Sequence, residues 1–211
     1  MKHILFALAA CATLASLPAP AAATPTAAAA YEGGRCIVAQ DRRAAVALLA
    51  RLPLGDTPAD LSGVGRNGAA CVASLAGASS LLMRGAIVQA MFLRDFRGLE
   101  REPADDRVIV NLNLPVEAGA TVQADRTGEL YRWGDCVARN DAAAVERLLR
   151  APIGSAEERD ALGGLQTFMS SCMPAGQQLS VRSWEVRSLF AQAAYHMLYR
   201  YWTGQLQSAR R

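Results

Sequence analysis

Four cysteines carry most of the reactive chemistry open to this chain: Cys36, Cys71, Cys136 and Cys172. Thiolates can exchange disulfides, hold a metal or pair with one another, and their spacing separates these uses. A structural zinc site is normally built from closely spaced cysteine knuckles, and these four are too widely separated to form one. Pairing is the simpler use, and an even number of cysteines fits it.

The remaining candidates are fewer. Asp105-Asp106 and Glu157-Glu158 are adjacent carboxylates of the kind a glycan-cleaving site needs, but adjacency in sequence does not set two groups on opposite sides of a bond. After His3 the only histidine is His196, and Lys2 is the only lysine. Ser–His, Ser–Lys and multi-histidine metal sites therefore lack their parts. A lone His196 without a positioned nucleophile is a surface or packing residue. Gly63-Val-Gly65-Arg-Asn-Gly68 satisfies the dinucleotide fingerprint as a string, but the fingerprint requires a preceding strand, whereas this string lies inside a predicted helical region. No catalytic, cofactor or metal site is assigned.

The elements that position the cysteines are organised by a duplication. The block Tyr31, Gly34, Cys36, Asp41 returns as Tyr131, Gly134, Cys136, Asp141 at an offset of 100 residues, and Leu48-Leu49 returns as Leu148-Leu149. Such self-similarity marks a repeated structural unit. The separations Cys36 to Cys71 and Cys136 to Cys172 are 35 and 36 residues, so each unit carries one internal pair: Cys36–Cys71 and Cys136–Cys172. Closing loops of that length stabilises a unit by about 3–4 kcal/mol in the chain-entropy model.

Each unit predicts three helices. Asp41 and Asp141 cap the first, whose apolar stripes are Ala45, Leu48, Leu49, Leu52 and Val145, Leu148, Leu149. The second starts at the capping box Ser155-Ala-Glu-Glu158, with Thr57-Pro58-Ala-Asp60 as its counterpart and Pro58 at the first helical position. The third carries a shared signature, Arg84 with Gln89 and Arg187 with Gln192. Arg84 and Arg187 are expected to cap, pair or bridge between units. Small residues such as Gly85, Ala86, Ala191 and Ala194 permit close helix contact. Tyr195, Leu198, Tyr199 and Trp202 form an aromatic stripe assigned to the core.

The expected layout is a signal peptide over 1–23, a flexible tail over 24–30, a first helical repeat over 31–96, a linker over 97–130, a second repeat over 131–204 and a tail over 205–211. The start combines Lys2-His3, an apolar run from Ile4 to Leu17 and small residues at Ala21–Ala23, the layout of an export signal. The apolar run is shorter than the roughly 20 residues a spanning helix needs. Lipidation at Cys11, after Leu8-Ala9-Ala10, is the lesser alternative. Within the linker Val108 to Leu114 alternates like a short strand, and a second extended stretch is expected through Glu129–Trp133.

The formal net charge is +3. Lys2 contributes to it from within the predicted signal, and there is no basic stripe with interleaved aromatics, which argues against nucleic acid as a partner.

The series Cys-x4-Asp, Leu-Leu, Pro, second Cys and Arg-x4-Gln-Ala-x-aromatic resembles that of uncharacterised exported proteins of sphingomonad-type alphaproteobacteria built from cysteine-paired helical units. The resemblance spans nearly all of the chain beyond the signal except the central insertion. It implies export and duplication, and carries no activity. It also implies that Gln89 and Gln192 stand where many such proteins have an acid, which argues against acid–base work there.

The expectation is an all-α protein of two tandem three-helix repeats in pseudo-twofold arrangement, each with one disulfide, with a short extended insertion between them. Its function is expected to be that of a secreted or periplasmic binding or scaffolding module, more a binder than an enzyme. The expected partner is an unknown protein or envelope component. The alternative is a cell-envelope enzyme of thiol-redox or carboxylate-based, glycan-directed type.

Overall fold

The computed structural model describes residues 26–73, 75–96, 110–114, 126–173 and 180–209. The expected signal peptide, Cys11, Asp105-Asp106 and most of the linker lie outside the described residues. Within them the fold is all-α: α1 (Ala27–Gln40), α2 (Arg42–Arg51), a 3-10 turn (Ser62–Val64), α3 (Gly65–Val72), α4 (Ser80–Asp95), α5 (Arg126–Asn140), α6 (Ala142–Arg150), α7 (Ala156–Ser171) and α8 (Ser183–Ala209).

The core is built on α4 and α8, which pack on each other, with α1 laid on α4 and α5 laid on α8. α4 is buried on every side from Ser80 to Phe92, so apart from Ser80, Arg84 and Gln89 its sequence is apolar around its whole circumference rather than in a stripe. Close approach of the backbones depends on glycine. A β-carbon on Gly85 would fall on the Ser188 side chain, and one on Gly34 would fall on the Ala86 backbone. Both seams therefore require a residue without a side chain.

Cap chemistry sets the helix starts. Asp41 accepts from Ala44 N at 3.0 Å and Asp141 from Ala144 N at 2.8 Å. Ser155 Oγ accepts from Glu158 N at 3.1 Å. The return bond of the capping box is displaced: Glu158 Oε2 accepts from Gly154 N at 2.5 Å, one residue before the expected partner.

Both disulfides form as paired above. Cys36 of α1 joins Cys71 of α3, and Cys136 of α5 joins Cys172 just beyond α7, with Cα separations of 5.5 and 5.8 Å. Each therefore ties the first helix of its half of the chain to the third.

Several expectations are corrected. The cysteine blocks are helices themselves, so among the described residues four α-helices precede the linker and four follow it, rather than three. The stretch Glu129–Trp133, expected to be extended, lies inside α5, because Tyr131, Gly134, Val137 and Ala138 recur at helical spacing on its buried face. Residues 27–30, expected as tail, form the first turn of α1, capped by Thr26 Oγ1 on Ala29 N at 3.2 Å. α8 likewise runs through Ala209 into the expected terminal tail, with no breaker after Gly204.

The strand expected over Val108–Leu114 is absent over the described residues 110–114. Among the described residues it has no neighbouring strand to complete its backbone hydrogen bonds. Leu112 and Leu114 are buried, while Asn113 turns to a φ of 49° and donates its N–H to Asn111 Oδ1. Thr57-Pro58 does not open a helix either. Pro58 pairs with Ser79 in an isolated bridge, Asp60 accepts from Ser62 N, and glycines at Gly63 and Gly65 delay the helix.

Candidate functional site

The buried polar groups converge on the contact between α4 and α8. Arg84 is 4 % exposed and Arg187 1 %. A buried guanidinium must have its protons satisfied, because desolvating a charge costs several kcal/mol. Arg84 Nη1 donates to Leu49 O at 2.7 Å and Leu52 O at 2.9 Å, the free carbonyls at the end of α2. Arg187 Nη2 does the same for α6, donating to Leu149 O at 3.0 Å and Ala151 O at 2.7 Å. Each arginine thus caps a helix C-terminus, where the dipole favours a cation.

The two side chains also reach across. Arg84 Nε donates to Gln192 Oε1 at 3.0 Å, and Arg187 Nε donates to Gln89 Oε1 at 2.8 Å. The amides are completed locally, Gln89 Nε2 on Leu149 O at 2.9 Å and Gln192 Nε2 on Ser188 O at 3.2 Å. Gln192 Oε1 takes a second bond from the Tyr131 hydroxyl at 3.0 Å, and the Tyr31 hydroxyl meets Ser188 Oγ at 3.0 Å. Burial pushes both phenols well above their ordinary value.

One asymmetry is chemical. Arg187 also donates to Glu158 Oε1 at 2.8 Å, a buried ion pair. Arg84 has no carboxylate among its described partners and relies on helix carbonyls and Gln192.

Two clefts open beside this network. The first, about 350 Å3, lies between the start of α5, the loop after α2 and the start of α8, and includes Asp56, Arg126, Tyr131, Arg182 and Glu185. The second, about 270 Å3, lies between α1, α4 and the loop after α6, and includes Tyr31, Glu32, Arg35, Gln89 and Arg187. Each has a buried tyrosine in its wall and a rim of both signs. In the first, Arg182 bridges Asp56 at 3.1 Å and Glu185 at 2.9 Å while its guanidinium sits 4.3 Å from the Trp184 ring centre. Burial alone would raise the Glu185 carboxyl, but bonds from the Arg182 side chain and backbone hold it below its ordinary value.

A further polar cluster was not foreseen. Arg42 grips Asp95 through Nη2 to Oδ2 at 2.7 Å and Nε to Oδ1 at 3.3 Å, and the Tyr195 hydroxyl donates to the same Oδ2 at 3.1 Å. Asp95 ends α4 and Arg42 begins α2, so each charge faces the unfavourable pole of its own helix and is compensated by the other. The signal available in sequence was an acid closing a long apolar helix.

The other sequence candidates are dispersed. His196 is fully buried, and its ring stacks toward Tyr199. Of the aromatic stripe, Tyr195 and Leu198 are buried whereas Trp202 is half-buried. Glu157 is exposed while its neighbour Glu158 is buried, so the adjacent pair faces two environments. The Gly63-x-Gly65-x-x-Gly68 string forms the 3-10 turn and the start of α3. Among the described residues no group of three potential metal ligands occurs, and no helix is long and apolar enough to cross a membrane.

Comparison with protein families, curated proteins and solved structures gives no match. The class defined here is that of an all-α protein closed by two disulfides.

Proposed function

We propose that this chain is an exported binding or scaffolding module, built by duplication of one helical unit whose two copies pack about a pseudo-twofold axis. The observation that carries the reading is the reciprocal exchange of Arg84 with Gln192 and Arg187 with Gln89. It spends the most capable buried polar groups on fastening two halves together. What faces solvent beside that fastening is a pair of clefts with mixed-charge rims, a surface suited to recognition. Two disulfides, with no helix among the described residues long and apolar enough to cross a membrane, are compatible with a periplasmic or extracellular location.

The cleft beside Tyr131 is the binding surface in this reading. Its test is a photo-crosslinking residue at Thr127, in the cleft wall, compared with one at exposed Arg43, both introduced into the chain in its native envelope. Adducts specific to Thr127 support the module, and identical patterns or none from both positions contradict it.

A thiol-redox enzyme is the second reading, favoured by one contact. The Asn140 amide nitrogen lies 3.6 Å from both Cys136 Sγ and Cys172 Sγ, where it could support a thiolate. The same amide donates to Cys136 O at 2.9 Å, a local bond that accounts for its placement without redox chemistry.

A further inference from the structure

A groove of about 550 Å3 lies between α6 and α7. Its floor includes Ala151, Pro152, Ala161 and Gly164, and is mostly apolar. Its rims carry opposite charges: Arg147 and Arg150 on α6, Glu157 and Asp160 on α7, all four exposed.

The glycines of α7 have no neighbour among the described residues that would explain them. Gly163 and Gly164 sit in the middle of a helix, where each costs about 1 kcal/mol relative to alanine. Gly33, Gly34 and Gly85 make room for neighbours, but a β-carbon at Gly163 or Gly164 would meet nothing within 4 Å. α7 packs mainly on α6 and α5, which leaves this face open.

The equivalent space at the end of α2 is closed. There Arg51, the last residue of α2, lays its guanidinium over Gly63. At the end of α6 the last residue is Arg150, and Glu146 draws it back along its own helix with a 2.7 Å ion pair. The space beside Gly164 therefore stays open.

We propose that this groove is a self-association surface on which a second copy of the chain docks by twofold rotation, α6 of each copy against α7 of the other. A surface with one basic and one acidic rim is complementary to itself under such a rotation, because each arginine row meets the partner's carboxylate row. A partner of uniform charge would be repelled by one rim. Gly164, which lines the groove, lets the incoming helix approach the α7 backbone closely, and the apolar floor supplies the burial. This inference stands apart from whatever the two clefts bind.

Sedimentation equilibrium of the oxidised protein tests it. The wild type is expected to be a dimer that weakens with salt. Arg147→Glu with Arg150→Glu makes both rims acidic, and Glu157→Arg with Asp160→Arg makes both basic. Each double variant alone is expected to dimerise at least roughly tenfold more weakly, and an equimolar mixture to recover association as a heterodimer. Gly164→Gln puts a side chain into the groove at a position where an added β-carbon meets nothing within 4 Å, and is expected to lose the dimer while keeping its helical circular dichroism. A wild type that stays monomeric at every concentration overturns the proposal. So does association that all the variants retain, or a mixture of folded variants that fails to associate.

Discussion

Arg84 and Gln192, 108 residues apart, share a buried hydrogen bond of 3.0 Å, and Arg187 returns the exchange to Gln89 at 2.8 Å. The seam between α4 and α8 is thereby polar at its centre although its surroundings are apolar. Polar contacts of this kind have narrow geometric tolerance, so they fix how the two helices sit as well as that they meet.

Truncating the two arginines should have unequal effects. Arg84→Met leaves Leu49 O, Leu52 O and Gln192 Oε1 short of donors, at an expected cost of about 2–3 kcal/mol. Arg187→Met also strands the Glu158 carboxylate inside the protein, and should cost about 3–5 kcal/mol. Urea unfolding of both variants measures the order, and a larger loss for Arg84→Met would contradict it.

Each disulfide should contribute about 3–4 kcal/mol through the unfolded state. Replacing Cys36 and Cys71 together by serine should lower the urea midpoint and leave one cooperative transition, because α4 and α8 share one core. Two separated transitions in the intact protein would show that the halves fold independently.

Gly85→Ala places a methyl group on the Ser188 side chain, with the Ser188 Cα close behind it. Overpacking of this type costs about 1–3 kcal/mol, against a gain of about 1 kcal/mol from helix propensity. Net destabilisation is expected in thermal unfolding, and a stabilised variant would mean that α4 and α8 do not approach this closely.

Burial raises the phenols of Tyr31 and Tyr131, and burial followed by the Asp95 charge raises that of Tyr195. A raised folded-state pKa means that the native state keeps its protons when the unfolded chain begins to lose them. The associated stability is complete below about pH 10, the unfolded value, and falls as pH rises beyond it. Absorbance at the phenolate band, followed with circular dichroism, should show these three tyrosines ionising only together with unfolding. Ionisation in the intact fold would contradict their burial.

Much of this was legible in the sequence, for identifiable reasons. The cysteine spacing fixed the pairing because the two intervals are nearly equal, and Asp41, Asp141 and Ser155 were visible as caps because capping depends on one residue and its position. The helices around Cys36 and Cys136 were missed because Gly33, Gly34 and Gly134 resemble breaks in a helix. At Gly33 and Gly34 the absent side chain instead lets neighbouring residues pack close, and Tyr31, Gly34 and Ile37 carried the helical period. The stretch near Leu112 alternates like a strand, but alternation cannot supply the neighbour that a strand requires. The partners of Arg84 and Arg187 were out of reach in detail, since they depend on helices more than 90 residues apart meeting at a few ångströms.

The central claim, an exported module stapled in each half, is tested most directly by intact mass and a non-reducing peptide map of protein recovered from its native envelope. The account predicts a mature chain beginning near Thr24, with Cys36 linked to Cys71 and Cys136 to Cys172. Free or crossed cysteines, or a chain that retains Met1 or a lipidated Cys11, would contradict it.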